Sequence, residues 1–348
     1  MKSEWKDFLI NAGAEFLDDT IAHFGNPHRE LEVALGGLVF ADLEYMGVIA
    51  AHGPDAGTFL QTQLGNDIHE LDEHSSQLSS YCTPKGRMLG LMRIFQQDGT
   101  YYLRLPADSL EAVLQRMRMF VMRANVTLED VSENFLRIGV SGEDATEEVT
   151  AAAGTCPKSV NGVTRNGQLT VLRVPGPRPR YEVFASSLQS AQACWDALNV
   201  RGAPVGEPAW RLLEIEAGIP TVFAATAELF VPQMANLQLV HGVSFKKGCY
   251  PGQEIVARMQ YLGTLKRRMY LGFIQHDTPV SPGDALFPAS DDTQAIGRIV
   301  DAQPHPDGGQ LALAVLQIKP AEADDVFLGS PGGPAFARQS LPYAFADT

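Results

Sequence analysis

Cysteine is scarce in this chain of 348 residues, with four in all: Cys82, Cys156, Cys194 and Cys249. Dozens of residues separate them, and no C-x-x-C pair or Cys/His cluster at zinc spacing occurs, so neither a disulfide framework nor a closed metal site is expected. Basic residues are also in deficit. Lys and Arg number 27 against 41 Asp and Glu, for a net charge of −14, which excludes a general polyanion-coating protein but leaves local basic patches open. No uninterrupted apolar run approaches the roughly 18–20 residues that span a bilayer, so no membrane partner is expected. The opening residues lack a basic stretch followed by an apolar one, and nothing marks the chain for export. A cytoplasmic location with four free thiols is the resulting expectation, each thiol by default a small buried hydrophobe.

The hydrophobic content of 45% and the length fit two or three domains with sizeable cores. Residues 1–34 are expected to be an N-terminal helical extension, one amphipathic helix with Trp5, Phe8, Leu9, Phe16 and Leu17 on its apolar positions. An internal repeat follows. The strand Gly47–His52, the turn Gly53-Pro-Asp55-Ala56 and the helix beyond it are matched by Leu136–Ser141, Gly142-Glu-Asp144-Ala145 and a second helix. Downstream, Tyr101–Leu105 precedes a helix opened by Asp108-Ser-Leu-Glu111, as Tyr181–Phe184 precedes one opened by Ser186-Ser-Leu-Gln189. The order strand, helix, strands, helix predicts two ferredoxin-like α+β units between about residues 35 and 205, the cores of two lobes over 35–130 and 131–263, the second carrying Glu216 and the segment around Cys249. Short strands broken by Pro and Gly over 264–348 predict an antiparallel β-barrel and a tail.

Two features carry chemistry. On the helix that starts after Pro208, Ala209, Leu212, Leu213 and Glu216 follow helical spacing, which places a carboxylate among leucines. Such a group needs a partner, either a salt bridge or a ligand whose N–H pair it accepts. The segment Lys246-Lys-Gly-Cys249-Tyr250-Pro-Gly252-Gln253-Glu254, with Arg258 and Lys266-Arg-Arg268, carries +5 in an acidic chain. Cys249 sits there beside two lysines, where cations favour a thiolate. A second basic stretch, Lys85-Gly86-Arg87 with Arg93 and Arg104, brings residues 82–107 to +3. Together the two stretches suggest a focused site for an anionic ligand.

Lys247-Gly-Cys-Tyr-Pro-Gly-Gln-Glu254 resembles the K-G-C-[FY]-x-G-Q-E signature of the YgfZ family, folate-binding proteins related to the T-protein (aminomethyltransferase) of glycine cleavage. Phe230–Gln238, Arg211–Pro220 and Phe59–Asp67 resemble that family too, so the likeness spans most of residues 35–316. It implies an aminomethyltransferase-like three-domain cloverleaf around tetrahydrofolate or a one-carbon or polyglutamyl derivative. It also implies a role in supporting iron–sulfur enzymes, among them radical-SAM enzymes that thiolate tRNA. By the resemblance Glu216 grips the pterin, Asn66, Lys85, Arg87, Tyr250, Gln253 and Arg258 line the folate site, and Cys249 is a reactive thiol assisted by Lys247. The acidic pair of the transferases is absent, Gly90 and Leu91 standing in its stretch, which argues against aminomethyl transfer because neither can stabilise a developing cation. A one-carbon transferase and a non-catalytic docking scaffold remain the alternatives. Client enzymes are the expected partners, direct RNA contact is left open, and a monomer is the default.

Overall fold

Alternation in the strands decides how the chain is layered. The computed structural model describes residues 1–290 and 294–345. In the first unit a strand β4 (Met46–His52) leads into α3 (Ala56–Gln63), a meander β5 (Ser76–Cys82), β6 (Met88–Gln97) and β7 (Thr100–Pro106), then α4 (Ala107–Arg118) and β8 (Thr127–Asp130). The sheet runs β5-β6-β7-β4-β8. Ile49, Ala51, Ile94, Leu103 and Leu105 turn one way and pack under Phe59, Leu60, Leu110, Val113 and Met117 of the two helices. Their strand neighbours Val48 and Phe95 face the opposite way, as a period of two requires.

The second unit repeats this plan with β9 (Leu136–Ser141), α5 (Ala145–Ala153), β10 (Val163–Asn166), β11 (Leu169–Val174), β12 (Arg180–Ala185), α6 (Leu188–Leu198) and β13 (Ala203–Val205). Its sheet runs β10-β11-β12-β9-β3-β13, where β3 (Val39–Asp42) is a strand from the start of the chain inserted before β13. The repeat is therefore real, but it departs from the ferredoxin-like order. Three strands rather than two stand between the helices, so β7 and β12 run antiparallel to β4 and β9. The inner faces of the two sheets meet through Val48, Phe95, Phe135, Val163, Leu172 and Phe184, with the rings of Phe95 and Phe184 4.9 Å apart.

That shared face also holds charge. Arg104 Nη2 lies 2.9 Å from Glu182 Oε1, and both side chains are buried. Arg93 is 2% exposed and donates to Asn161 Oδ1 at 2.9 Å; burial lowers its guanidinium to about 10. Arg93 and Arg104 were expected to add to a ligand-facing basic stretch. Their parity with Phe95 and Tyr102 turns them instead into the sheet interface, so of the basic residues in that stretch only Lys85 and Arg87 remain outside the buried interface.

The N-terminal residues are not one helix. They form α1 (Ser3–Asn11), a hairpin of β1 (Glu15–Leu17) and β2 (Thr20–His23), and α2 (Pro27–Gly36). Gly13, at φ +96°, ends the first helix, and the Asn26 side chain caps the second with Pro27 in its first turn. Trp5 anchors the segment: its ring meets Trp195 of α6 edge-on at 5.6 Å and its Nε1 donates to Asp42 at 2.7 Å.

Helix α7 (Glu207–Glu216) joins the units to the C-terminal sheet, a curled antiparallel half-barrel of order β18-β15-β16-β17-β14-β19. Its strands are β14 (Arg267–Ile274), β15 (Ala285–Phe287), β16 (Gly297–Pro304), β17 (Gln310–Gln317), β18 (Phe327–Leu328) and β19 (Phe336–Gln339), with a short α9 (Ile318–Glu322). Trp210, Leu212 and Leu213 of α7 share one core with Met88 and Leu91 of β6 and with Leu271, Val300 and Leu313 of this sheet. Between them runs α8 (Gln253–Tyr261), just after the cysteine motif.

Candidate functional site

The cysteine motif is a turn pinned at several points with its thiol left out. Lys247 is 8% exposed, and its Nζ donates to the carbonyls of Gln61, Leu64 and Asn66 at 2.7, 2.6 and 2.8 Å. An ammonium has three N–H groups, and all three are used. The acceptors lie at the C-terminal end of α3 and just past it, where helix carbonyls lack partners and favour a cation. Burial pulls this ammonium down to about 8, opposed by Asp67. Lys247 was expected to assist the thiol, but with every donor committed to carbonyls it serves as a tether between the motif and the first unit.

Tyr250 packs below the turn. It is buried, its ring lies 5.3 Å from Lys247 Nζ, and burial, with Cys82 adding to it, pushes its phenol up. The ring is part of the footing of the turn, and its hydroxyl, also buried, finds no hydrogen-bond partner among the described residues. Gly252, at φ +83°, makes the closest approach. A Cβ on it would stand 2.5 Å from the Thr83 carbonyl and 2.6 Å from Gly86 Cα, and Gly86 is itself at φ +70°. Only glycine fits such a left-handed, backbone-to-backbone contact. The two basic motifs therefore meet as two turns in contact. Gln253 closes the loop with Nε2 donating to the Lys247 carbonyl at 3.3 Å, and Val256, fully buried, gives its carbonyl to Gln233 Nε2 at 2.6 Å. Between these anchors Gly248 and Cys249 are exposed.

The remaining expected site residues divide. Arg87 is half-buried and donates to the Leu229 carbonyl at 2.5 Å. Asn66 is buried, with Nδ2 donating to Leu78 and His241 carbonyls at 2.7 and 2.8 Å and Oδ1 accepting from Asp67 N at 3.0 Å. Its amide is spent on joining the first unit to the loop at His241. Lys85 and Arg258 are exposed and enter no ion pair among the described residues. Leu91, in the stretch where the transferases carry acids, is buried in the shared core.

Glu216 stands apart from this cluster. Its Oε2 accepts from Arg178 Nη2 at 2.6 Å, and Arg178 also donates to the Leu35 carbonyl. The side chain is 30% exposed, and the buried carboxylate of α7 is Glu214, which accepts from Tyr45 Oη at 3.3 Å. Sequence reasoning missed Glu214 and Arg178. The only signal for the latter was a lone arginine in the proline-rich turn Pro175–Pro179. Just past Glu216, the Gly218 carbonyl accepts from Tyr343 Oη at 2.8 Å, so the C-terminal tail folds back over the end of α7. A carboxylate offers about four acceptor positions, and Arg178 takes one, so Glu216 retains capacity for a ligand N–H pair.

A cleft of about 550 Å³ opens between the units, lined by Asn66, Ser76, Asn161, Phe245, Lys246 and Tyr261 among others. Glu216 and Cys249 are not among its lining residues.

Comparison with known proteins decides the family. No family model matches the chain. A tRNA-modifying protein YgfZ from Photorhabdus laumondii subsp. laumondii is 30% identical over 310 residues, which cover 88% of this chain and 93% of that one. The chain belongs to the YgfZ family. A second member, from Colwellia psychrerythraea, is 28% identical over 302 residues, 87% of this chain and 92% of its own. In fold the family member described here is similar to the glycine cleavage system aminomethyltransferase T of Bartonella henselae, with a TM-score of 0.74, 18% identity, and 97% and 96% of the two chains covered. That likeness establishes a mixed α+β aminomethyltransferase-type fold. No helix among the described residues is long and apolar enough to cross a membrane.

Proposed function

We propose that this protein is a tetrahydrofolate-binding accessory factor that supports iron–sulfur enzymes, including those that thiolate tRNA, through the exposed thiol of Cys249. The observation that carries the reading is the mounting of Cys249. A turn anchored by Lys247, Tyr250, Gly252 and Gln253 presents one thiol to solvent, whereas Cys82 and Cys194 are buried and raised to about 12 by that burial. A rigidly held, accessible thiol suits exchange with a partner, and a buried one does not. The family's name, tRNA-modifying protein, supports the same direction.

Folate would be held by Glu216, with Arg178 fixing the carboxylate so that its free acceptor positions receive the N–H pair of a pterin edge. When bound, folate supplies a carrier for one-carbon groups. The chain's own residues bind and orient it, and nothing in the stretch Arg87–Met92 offers a carboxylate for aminomethyl transfer. Calorimetric titration of tetrahydrofolate into wild type, Glu216→Gln and Cys249→Ala tests the reading. Wild type and Cys249→Ala bind alike, and Glu216→Gln binds at least tenfold more weakly. Heat no greater than that of an unrelated protein overturns the folate reading.

A further inference from the structure

The cleft between the units has a lining that neither the thiol nor Glu216 uses. Tyr261, the last residue of α8, is 66% exposed and stands on the edge of Phe245 at a centroid distance of 6.3 Å and an interplanar angle of 74°. Phe245 thus braces the ring while most of its surface stays in solvent. Across the cleft, Asn161 sits in a left-handed conformation (φ +64°), and its Oδ1 accepts from the buried Arg93. That bond fixes which way the amide points and leaves Nδ2 as a donor. Lys246 lines the same cleft. Arg258 lies one turn before Tyr261 on α8 and Lys266 follows that helix in the chain; both are exposed, and none of the three cations enters an ion pair among the described residues. Glu70 in the cleft and Glu254 on α8 are the nearby acids.

We infer that this cleft receives an unstacked base of a single-stranded nucleic acid, stacked on Tyr261 and contacted by Asn161, with Lys246, Arg258 and Lys266 on the flanking phosphates. An exposed aromatic accompanied by unpaired cations is the combination that binds single strands. Lys246 lines the cleft with Tyr261, and Arg258 stands one turn from that ring on the same helix, so cations accompany the exposed ring on two different elements. The inference goes beyond the folate reading and leaves its two anchoring residues, Glu216 and Arg178, untouched.

Fluorescence anisotropy with a labelled single-stranded RNA of about a dozen nucleotides, without folate, tests it. Contact with three phosphates gives a slope of log K against log salt of about −2, and Lys246→Gln/Arg258→Gln brings it to about −0.7. Tyr261→Ala weakens binding about tenfold while Tyr261→Phe retains it, which separates stacking from misfolding. Salt-independent or absent binding, equal binding by Tyr261→Ala, equally tight binding of duplex RNA, or equally tight binding of polyglutamate would each overturn the inference.

Discussion

Lys247 Nζ lies 2.6 Å from the carbonyl oxygen of Leu64, inside a triangle of carbonyls that includes Gln61 and Asn66. The lysine next to the motif cysteine thus belongs mechanically to the other side of the molecule. It secures the turn on which Cys249 is displayed.

Removing that tether has a measurable cost. Lys247→Met strips hydrogen bonds from three carbonyls, two of them buried and that of Gln61 partly so, and is expected to lower the unfolding free energy by about 3 kcal/mol in urea titrations. Lys247→Arg does not restore it, because a planar fork cannot point three donors at one triangle. A loss below about 0.5 kcal/mol would show that the carbonyls find other partners.

The contact of Gly252 with Gly86 predicts a second effect. Gly252→Ala must both adopt φ +83° and clear the Thr83 carbonyl at 2.5 Å, for an expected cost of about 2 kcal/mol or more. Gly248→Ala, which meets nothing within 4 Å, serves as the control and changes stability by less than about 0.5 kcal/mol.

Thiol accessibility follows from burial. In the native protein an aromatic disulfide reagent is expected to titrate Cys249 rapidly and the half-buried Cys156 more slowly, leaving Cys82 and Cys194 until denaturant is added. Cys249→Ala removes the fast phase alone. Two fast thiols in wild type would mean that a second cysteine is presented.

The anchor of the N-terminal segment predicts a pH dependence. Burial, with the neighbouring Glu44 adding to it, pushes the Asp42 carboxyl up to about 7, against bonds from Trp5 and the Glu44 amide and the charge of Arg137. A folded group that holds its proton more tightly than the unfolded chain contributes stability below its ordinary range near 4, and that contribution is lost as pH rises toward 7. Asp42→Asn, still able to accept from Trp5, should therefore gain on wild type by a few kcal/mol between pH 4.5 and 7.5. Parallel curves for the two proteins would rule out a raised Asp42.

The repeat, the existence of helix α7 and the family were legible because glycine turns, capping residues and one octapeptide are local signals. The N-terminal hairpin was hidden by Phe16 and Leu17, whose spacing fits a helix as well as a strand. Arg93 and Arg104 misled for a different reason. An inward-facing arginine in a paired sheet has the same alternation as a solvent-facing one, and only its partner Glu182, some eighty residues along the chain, distinguishes them. Lys247 is the same case in a turn, since its acceptors are main-chain carbonyls that leave no mark in the side-chain sequence.

The role of the Cys249 thiol is tested most directly by restoration of tRNA thiolation in cells lacking the gene, measured as thiolated nucleoside per tRNA. Cys249→Ala, accumulating and unfolding like wild type, is predicted to leave thiolation at the level of the empty vector. Restoration to the wild-type level by Cys249→Ala would contradict the account.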